Sequence, residues 1–181
     1  MCRLFFIAMN PANDIELSLI HEVTTIFSRE GIEHWLFGGW GVDFRLGEVT
    51  RPHMDIEFLV WERDSARCVD LLQGAGYTES GRVEECVYLR KADQLVELYL
   101  MDRNEQGLAI VLGPWKEWPW MPGALEAPPG RIGDIVCPTV SLDALLDTKE
   151  QYQQHVPDRP PRDKDIADMD RLRRLSVAET E

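Results

Sequence analysis

Apolar positions along the chain change their period several times, and each change predicts an element. From Asp14 to Glu30, Ile15, Leu19, Val23, Ile26 and Phe27 recur at helical spacing. Asn13 or Asp14 serves as cap and Gly31 as stop, so the spacing predicts a first amphipathic helix. Glu33 to Phe37 reads as a short apolar strand running into Gly38-Gly39; Trp40, Val42, Phe44 and Leu46 then mark a short helical piece that ends at Gly47. From Asp55 to Val60 the period falls to two. Ile56, Phe58 and Val60 point one way, and Asp55, Glu57 and Leu59 the other. The next helix, about Ser65 to Gln73, stops at Gly74 and Gly76.

Val83 to Arg90 and Leu95 to Met101 are strand-like runs joined by the polar hinge Lys91-Ala92-Asp93-Gln94, and they are expected to pair antiparallel. Between Gly113 and Gly133, Trp115, Trp118 and Trp120 are interleaved with Pro114, Pro119, Pro122, Pro128 and Pro129. This predicts a long surface excursion of the kind that carries binding function. Its tryptophans read as packing ahead of substrate stacking. Ser141 caps a helix through about Gln153. After a proline-rich break at Pro157 to Pro161, a last helix runs from Asp163 to about Leu175, with Ser176 to Glu181 as a fraying tail. The whole predicts one α/β (α+β) domain over residues 1–181, a mixed β-sheet flanked by helices with C-terminal helices, residues 1–12 being flexible.

Composition narrows the function classes. With 181 residues, 44% of them hydrophobic, the chain can bury a full core. A net charge of -13 repels a polyanion such as nucleic acid at long range and draws in a cationic small molecule. Cys2, Cys68, Cys86 and Cys137 form no C-x-x-C pair, which speaks against a disulfide framework or a zinc knuckle and for a cytoplasmic protein. The apolar run near Met1 is too short for a secretory core or a membrane span.

Two carboxylates at i and i+2 on a strand, Asp55 and Glu57, emerge on one face a few ångströms apart, and like charges so placed are tolerated when a divalent cation sits between them. Hard oxygen ligands of this type suit magnesium, which keeps its remaining positions for water and phosphate. Glu97 lies on the face of its run opposite Val96 and Leu98, so a neighbouring strand could bring it beside the first two. Gly38-Gly39 follows a strand and precedes a helix turn, where missing side chains let backbone N–H groups approach a phosphate. Singly, a Gly-Gly step is an ordinary turn and an Asp-x-Glu pair a solvated edge. Their order and spacing carry more.

The stretch Phe37-Gly38-Gly39-Trp40-Gly41-Val42-Asp43, then Leu46-Gly47, then Thr50-Arg51-Pro52-His53-Met54-Asp55-Ile56-Glu57-Phe58 resembles the signature of small antibiotic nucleotidyltransferases, the lincosamide and aminoglycoside 2″ type within the DNA polymerase β-like superfamily. Val96-Glu97-Leu98-Tyr99 resembles the family's third-carboxylate strand. Lys149 to Gln154, followed by Arg162-Asp163-Lys164-Asp165 and Asp168, is similar to its closing helices. The resemblance implies transfer of a nucleoside monophosphate from a triphosphate, ATP by likeness, onto a hydroxyl of a small acceptor such as an aminoglycoside or lincosamide, with pyrophosphate leaving. Asp55 and Glu57 would bind Mg2+, and Glu97 would be the general base or a further metal ligand. Gly38 and Gly39 would cradle the triphosphate, with Lys149 and Lys164 offsetting its charge. Arg51 either contacts phosphate or is solvated, His53 is either a structural hydrogen-bonder or a group that orders the loop or contacts nucleotide, and Asp43 caps or orients the turn after the glycines.

Glu57 and Glu97 stand where Asp is usual in these enzymes, and glutamate is one methylene longer. This opens a second reading, a nucleotide-binding or weakly active member of the fold similar to the nucleotidyltransferase-type antitoxins. The Trp-rich segment also offers a surface for a second copy of the chain, so a homodimer is among the partners considered.

Overall fold

The computed structural model describes residues 11–156, 160 and 162–179. The expectations for residues 1–10, for most of the proline-rich break and for Thr180 and Glu181 lie outside the described residues. The elements in chain order are α1 (Pro11–Arg29), β1 (His34–Leu36), α2 (Gly38–Leu46), β2 (Ile56–Trp61), α3 (Ser65–Gly74), β3 (Thr78–Arg82), β4 (Cys86–Lys91), β5 (Gln94–Arg103), β6 (Ala109–Val111), β7 (Gly130–Ile132), β8 (Ile135–Cys137), α4 (Leu142–His155) and α5 (Asp163–Glu179).

Among the described residues β1 to β6 form one sheet in the order β1-β2-β5-β4-β3, with β6 also on β5. The mixed sheet flanked by helices is the architecture expected. Only β2 and β5 run parallel, Glu57 opposite Glu97 and Phe58 opposite Leu98. The alternation read for β2 holds: Ile56, Phe58 and Val60 enter one buried cluster with Val96, Leu98 and Leu100, while Leu59 enters another with Met101 and Val111. On the first face α1 and α3 pack Ile20, Val23, Phe27 and Leu72 against the strands. On the second, α2, α4 and α5 bring Val42, Leu145 and Leu172. Each fully buried aliphatic or aromatic side chain contributes roughly 1.5–3 kcal/mol, so both faces help to hold the sheet. The second leaves room at one end for a cavity.

Local signals explain most boundaries. Ser141 accepts a hydrogen bond from the Ala144 N–H at the start of α4, the cap that was expected. Gly47, at φ +79, closes α2 by donating its N–H to Asp43. The β4–β5 hairpin turns on Ala92 and Asp93, both in the left-handed region that a two-residue hairpin loop demands.

Four boundaries differ from expectation. α1 begins at Pro11, so Asn13 and Asp14 lie inside its first turn rather than capping it; proline is well tolerated there because its missing N–H would have no partner. Val83 to Glu85 form a tight turn, closed by reciprocal backbone bonds between Val83 and Cys86, instead of opening β4. The preceding strand β3, Thr-Glu-Ser-Gly-Arg, is an edge strand with no apolar signal to betray it. α5 continues to Glu179, past the proposed fraying point, because no glycine or proline interrupts Ser176 to Glu179.

The segment from Gly113 to Gly133 is tied down rather than excursive. Trp120 donates its N–H to Ala109, the Trp35 indole donates to Leu125, and Ala124 is buried. No helix among the described residues is long and apolar enough to cross a membrane.

Candidate active site

The glycine corner is built by what surrounds it. Phe37 is extended at φ -141, Gly38 is left-handed at φ +60, and α2 starts there without a side-chain cap. A Cβ on Gly38 would lie 1.6 Å from Glu57 Oε2, and one on Gly39 would lie 2.6 Å from both Arg51 Nη2 and His53 Nδ1. The two glycines therefore admit a carboxylate on one side and the Thr50 to His53 loop on the other.

Asp43, fully buried on α2, orders that loop. It accepts from the Thr50 N–H at 3.1 Å and Thr50 Oγ1 at 2.6 Å, and its Oδ2 lies 2.7 Å from His53 Nε2. The His53 ring also stacks on Trp40, centroids 4.3 Å apart. Its side chain is 2% exposed and is spent on loop geometry.

Glu57 and Glu97, two of the three carboxylates expected to converge, are brought side by side, but with Asp55 they form no group placed to hold a metal ion among the described residues. Glu57 and Glu97 are register partners on parallel strands, where neighbouring chains lie about 4.7–4.9 Å apart, and Asp55 precedes β2 by one residue. Burial, then the charges of Asp55 and Glu97, push the Glu57 carboxyl up to about 7, despite opposing help from Lys149 and the Gly39 N–H. Glu97 is raised by burial and by Asp55, against a hydrogen bond from the Tyr99 hydroxyl. A fourth acid joins from α1. Glu16 is fully buried, both of its carboxylate oxygens lack a hydrogen-bond partner, and burial with the Asp55 charge raises it to about 7. The sequence did carry a signal for it, since Glu16 precedes Leu19, Ile20 and Val23 by three, four and seven residues on the buried stripe.

The opposite wall is cationic and paired. Asp168, fully buried on α5, accepts from Arg51 Nη2 at 3.0 Å and Lys149 Nζ at 3.1 Å; Asp165 accepts from the same Lys149 at 3.1 Å and from Arg162 Nε at 2.5 Å. Burial alone would raise Asp168, but Arg51 and Lys149 hold it below the ordinary carboxylate range. Lys164 faces the same space without an ion-pair partner among the described residues.

Between these walls lies a cavity of about 250 Å³, reached by Gly38, Gly39, Arg51, Asp55, Glu57, Lys149 and Lys164. Glu97, 9% exposed, stands behind Tyr99, which lines the cavity and bonds to it. The remaining wall is aromatic: Trp115, Trp118 and Trp120 all reach it, as does Tyr152 from α4. Trp115 and Trp120 also pack against the second core, so these tryptophans both pack and face the ligand space.

A parallel β2–β5 pair carrying three acids beside a glycine–helix corner, closed over by C-terminal helices, is the nucleotidyltransferase fold. Solved structures with this fold bear that out: ANT(2″)-Ia in complex with adenylyl-2″-tobramycin superposes at a TM-score of 0.73, with 19% identity and 92% of each chain covered. The lincomycin-bound lincosamide antibiotic adenylyltransferase LnuA superposes at 0.66, with 19% identity over 92% of this chain and 99% of that one. The model of the aminoglycoside-2″-adenylyltransferase family matches residues 19–172, and the chain belongs to that family. A 2″-aminoglycoside nucleotidyltransferase of Klebsiella pneumoniae is 40% identical over 42 residues, which span 23% of this chain and 24% of that relative.

Proposed function

We propose that the protein transfers a nucleoside monophosphate, adenylate in the first instance, from a magnesium-bound triphosphate to a hydroxyl of a small cationic acceptor of the aminoglycoside or lincosamide kind. The observation that carries this reading is the register of Glu57 with Glu97, which sets Glu97 beside the two acids, Asp55 and Glu57, that line the cavity with Gly38 and Gly39.

The donor set fits magnesium. Glu57 and Glu97 are buried beside further acids that raise them, and a cation would relieve that repulsion. Among the described residues no group of three or more acidic, His or Cys side chains is placed to hold a metal ion. Magnesium does not require one, since it is commonly held by one or two carboxylates plus substrate phosphates. Asp55 and Glu57 would hold it, and when bound it supplies charge neutralisation on the phosphates and in-line geometry at the α-phosphorus.

The protein's own groups do the rest. The N–H groups at the start of α2 and Lys164 receive the polyphosphate, while Lys149 and Arg51, held by Asp168, add positive charge to the same wall. Glu97, made more basic by burial and by the Asp55 charge, takes the acceptor hydroxyl proton as that oxygen bonds to the α-phosphorus and the bond to pyrophosphate breaks. Tyr99 holds its carboxylate for that task, and His53 keeps the motif loop in place. The sheet acids, in a chain of net charge -13, attract an amine-bearing acceptor. The aromatic wall packs against the acceptor's apolar faces.

The test is incubation with magnesium, a panel of labelled triphosphates, and aminoglycoside and lincosamide acceptors. Labelled acceptor and released pyrophosphate are expected. Triphosphate binding with no transfer to any acceptor would move the chain to the nucleotide-holding alternative.

A further inference from the structure

Glu57 does more in this geometry than face a metal. Helix α2 has no side-chain cap from Phe37, and the Gly39 N–H favours the charged form of the Glu57 carboxylate beside it. Glu57 Oε2 lies flat against Gly38, 1.6 Å from where a Cβ would stand. The carboxylate thus covers the positive end of α2, the place that the proposed function gives to the polyphosphate. One N–H cannot serve both anions. The contact depends on residue length: an Asp at this position would stop about 1.5 Å short, one carbon–carbon bond.

We infer that Glu57 is a built-in occupant of the polyphosphate cradle, released when a divalent cation draws its carboxylate away, so that metal and nucleotide binding are coupled through one side chain. This rests on the function proposed above. Without a cation, an incoming triphosphate meets a carboxylate that already stands at the Gly38-Gly39 corner and repels it. With a cation recruiting Glu57, the N–H is freed and the repulsion is neutralised. The coupling is reciprocal by linkage, so nucleotide must tighten cation binding by the same factor. The Glu in place of Asp then acts as a device against metal-free nucleotide binding, and not merely as a weakened ligand.

Calorimetric titration of a non-hydrolysable triphosphate, with EDTA and then with magnesium, decides the matter on wild type, Glu57→Asp, Glu57→Gln and Glu57→Ala. In EDTA, Glu57→Asp keeps the charge and loses the reach, and should bind about tenfold tighter than wild type, the worth of one charge-assisted contact. Glu57→Ala should bind tighter than Glu57→Gln, because a Gln oxygen still reaches the Gly39 N–H while both variants are neutral. Equal affinities for wild type and Glu57→Asp in EDTA would overturn the inference. So would equal gains for Ala and Gln, which would mean that charge alone is at work. If a variant fails a thermal-melt check of folding, the wild-type and Asp pair still decides. Should wild type with magnesium bind no triphosphate at all, the proposed function fails first; should it bind while Glu57→Asp shows no gain, only the present inference falls.

Discussion

Two groups of acids face each other across the cavity, and the fold treats them oppositely. On α5, Asp168 and Asp165 are bonded to Arg51, Lys149 and Arg162 and are held below the ordinary carboxylate range despite burial. On the sheet, Glu57 and Glu97 have one another, Asp55 and the more distant Glu16 for company, and are pushed above it. The difference is the presence of close ion-pair partners, and it separates charge that holds elements together from charge that the proposed function assigns to a ligand. The Asp168 hub joins the motif loop, α4 and α5 whether or not a substrate is bound. The sheet acids repel one another instead, and under the proposed function a cation would relieve that repulsion.

The largest expected effect strikes the sheet side alone. Asp55→Asn should lower the transfer rate by about 10³-fold or more, as expected when a group positioned for the transition state is lost. Its denaturation midpoint should stay at or above that of wild type, because a repulsion is removed. A clear loss of stability would show that Asp55 is a structural charge and would erase the contrast between the walls.

The mirror-image experiment is Asp168→Ala. Breaking a buried network by removing its acid leaves Arg51 without its carboxylate and Lys149 with Asp165 alone, and should cost about 3–5 kcal/mol in urea unfolding. Comparable loss of activity would follow from a displaced loop. A variant as stable as wild type would show that the cations were poised for ligand all along.

The contrast between the walls also explains what the sequence could and could not reveal. The Asp55-Ile56-Glu57 alternation, the glycine corner and the Ser141 cap are local patterns, and they emerged as read. The convergence of Glu97 needed a strand neighbour that the sequence permitted but did not dictate; the parallel β2–β5 register supplies it. The Asp168 hub was beyond reading, because its partners lie 117 and 19 residues away along the chain and ion-pair geometry leaves no periodic trace. His53 was open between two roles until the Trp40 ring and Asp43 were seen to enclose it. The Trp-rich segment misled by composition: prolines and glycines suggested a free loop, while Trp120, Ala124 and Leu125 bond it to the body of the fold.

Glu16 sharpens the comparison through pH. Burial and the Asp55 charge raise its folded value from 4.5 to about 7, so the folded state holds a proton that the unfolded chain releases. Its contribution to stability is full below about 4.5 and is lost as pH rises through about 7, a swing of at most about 3 kcal/mol. Glu16→Gln removes that dependence. The variant should match wild type near pH 4 and exceed it at pH 8 in paired urea titrations. Equal stabilities at both pH values would place a counter-charge beside Glu16 and class it with the α5 acids.

The smallest effect tests the cationic wall for a member that serves the ligand. Arg51, Lys149 and Arg162 each hold an α5 carboxylate, whereas Lys164 reaches the cavity without an ion-pair partner among the described residues. A half-exposed lysine of this kind contributes chiefly by Coulomb attraction to the polyphosphate, on the order of 1 kcal/mol in a partly solvated setting. Lys164→Ala should therefore raise the KM for the triphosphate by roughly three- to tenfold, with kcat, the acceptor KM and the melting temperature unchanged. The effect should shrink as salt is raised, because the attraction is screened. A fall in kcat with KM unchanged would mean that Lys164 acts on the charge that develops during transfer. The division would then run between ground state and transition state within the cationic wall, and not only between the two walls.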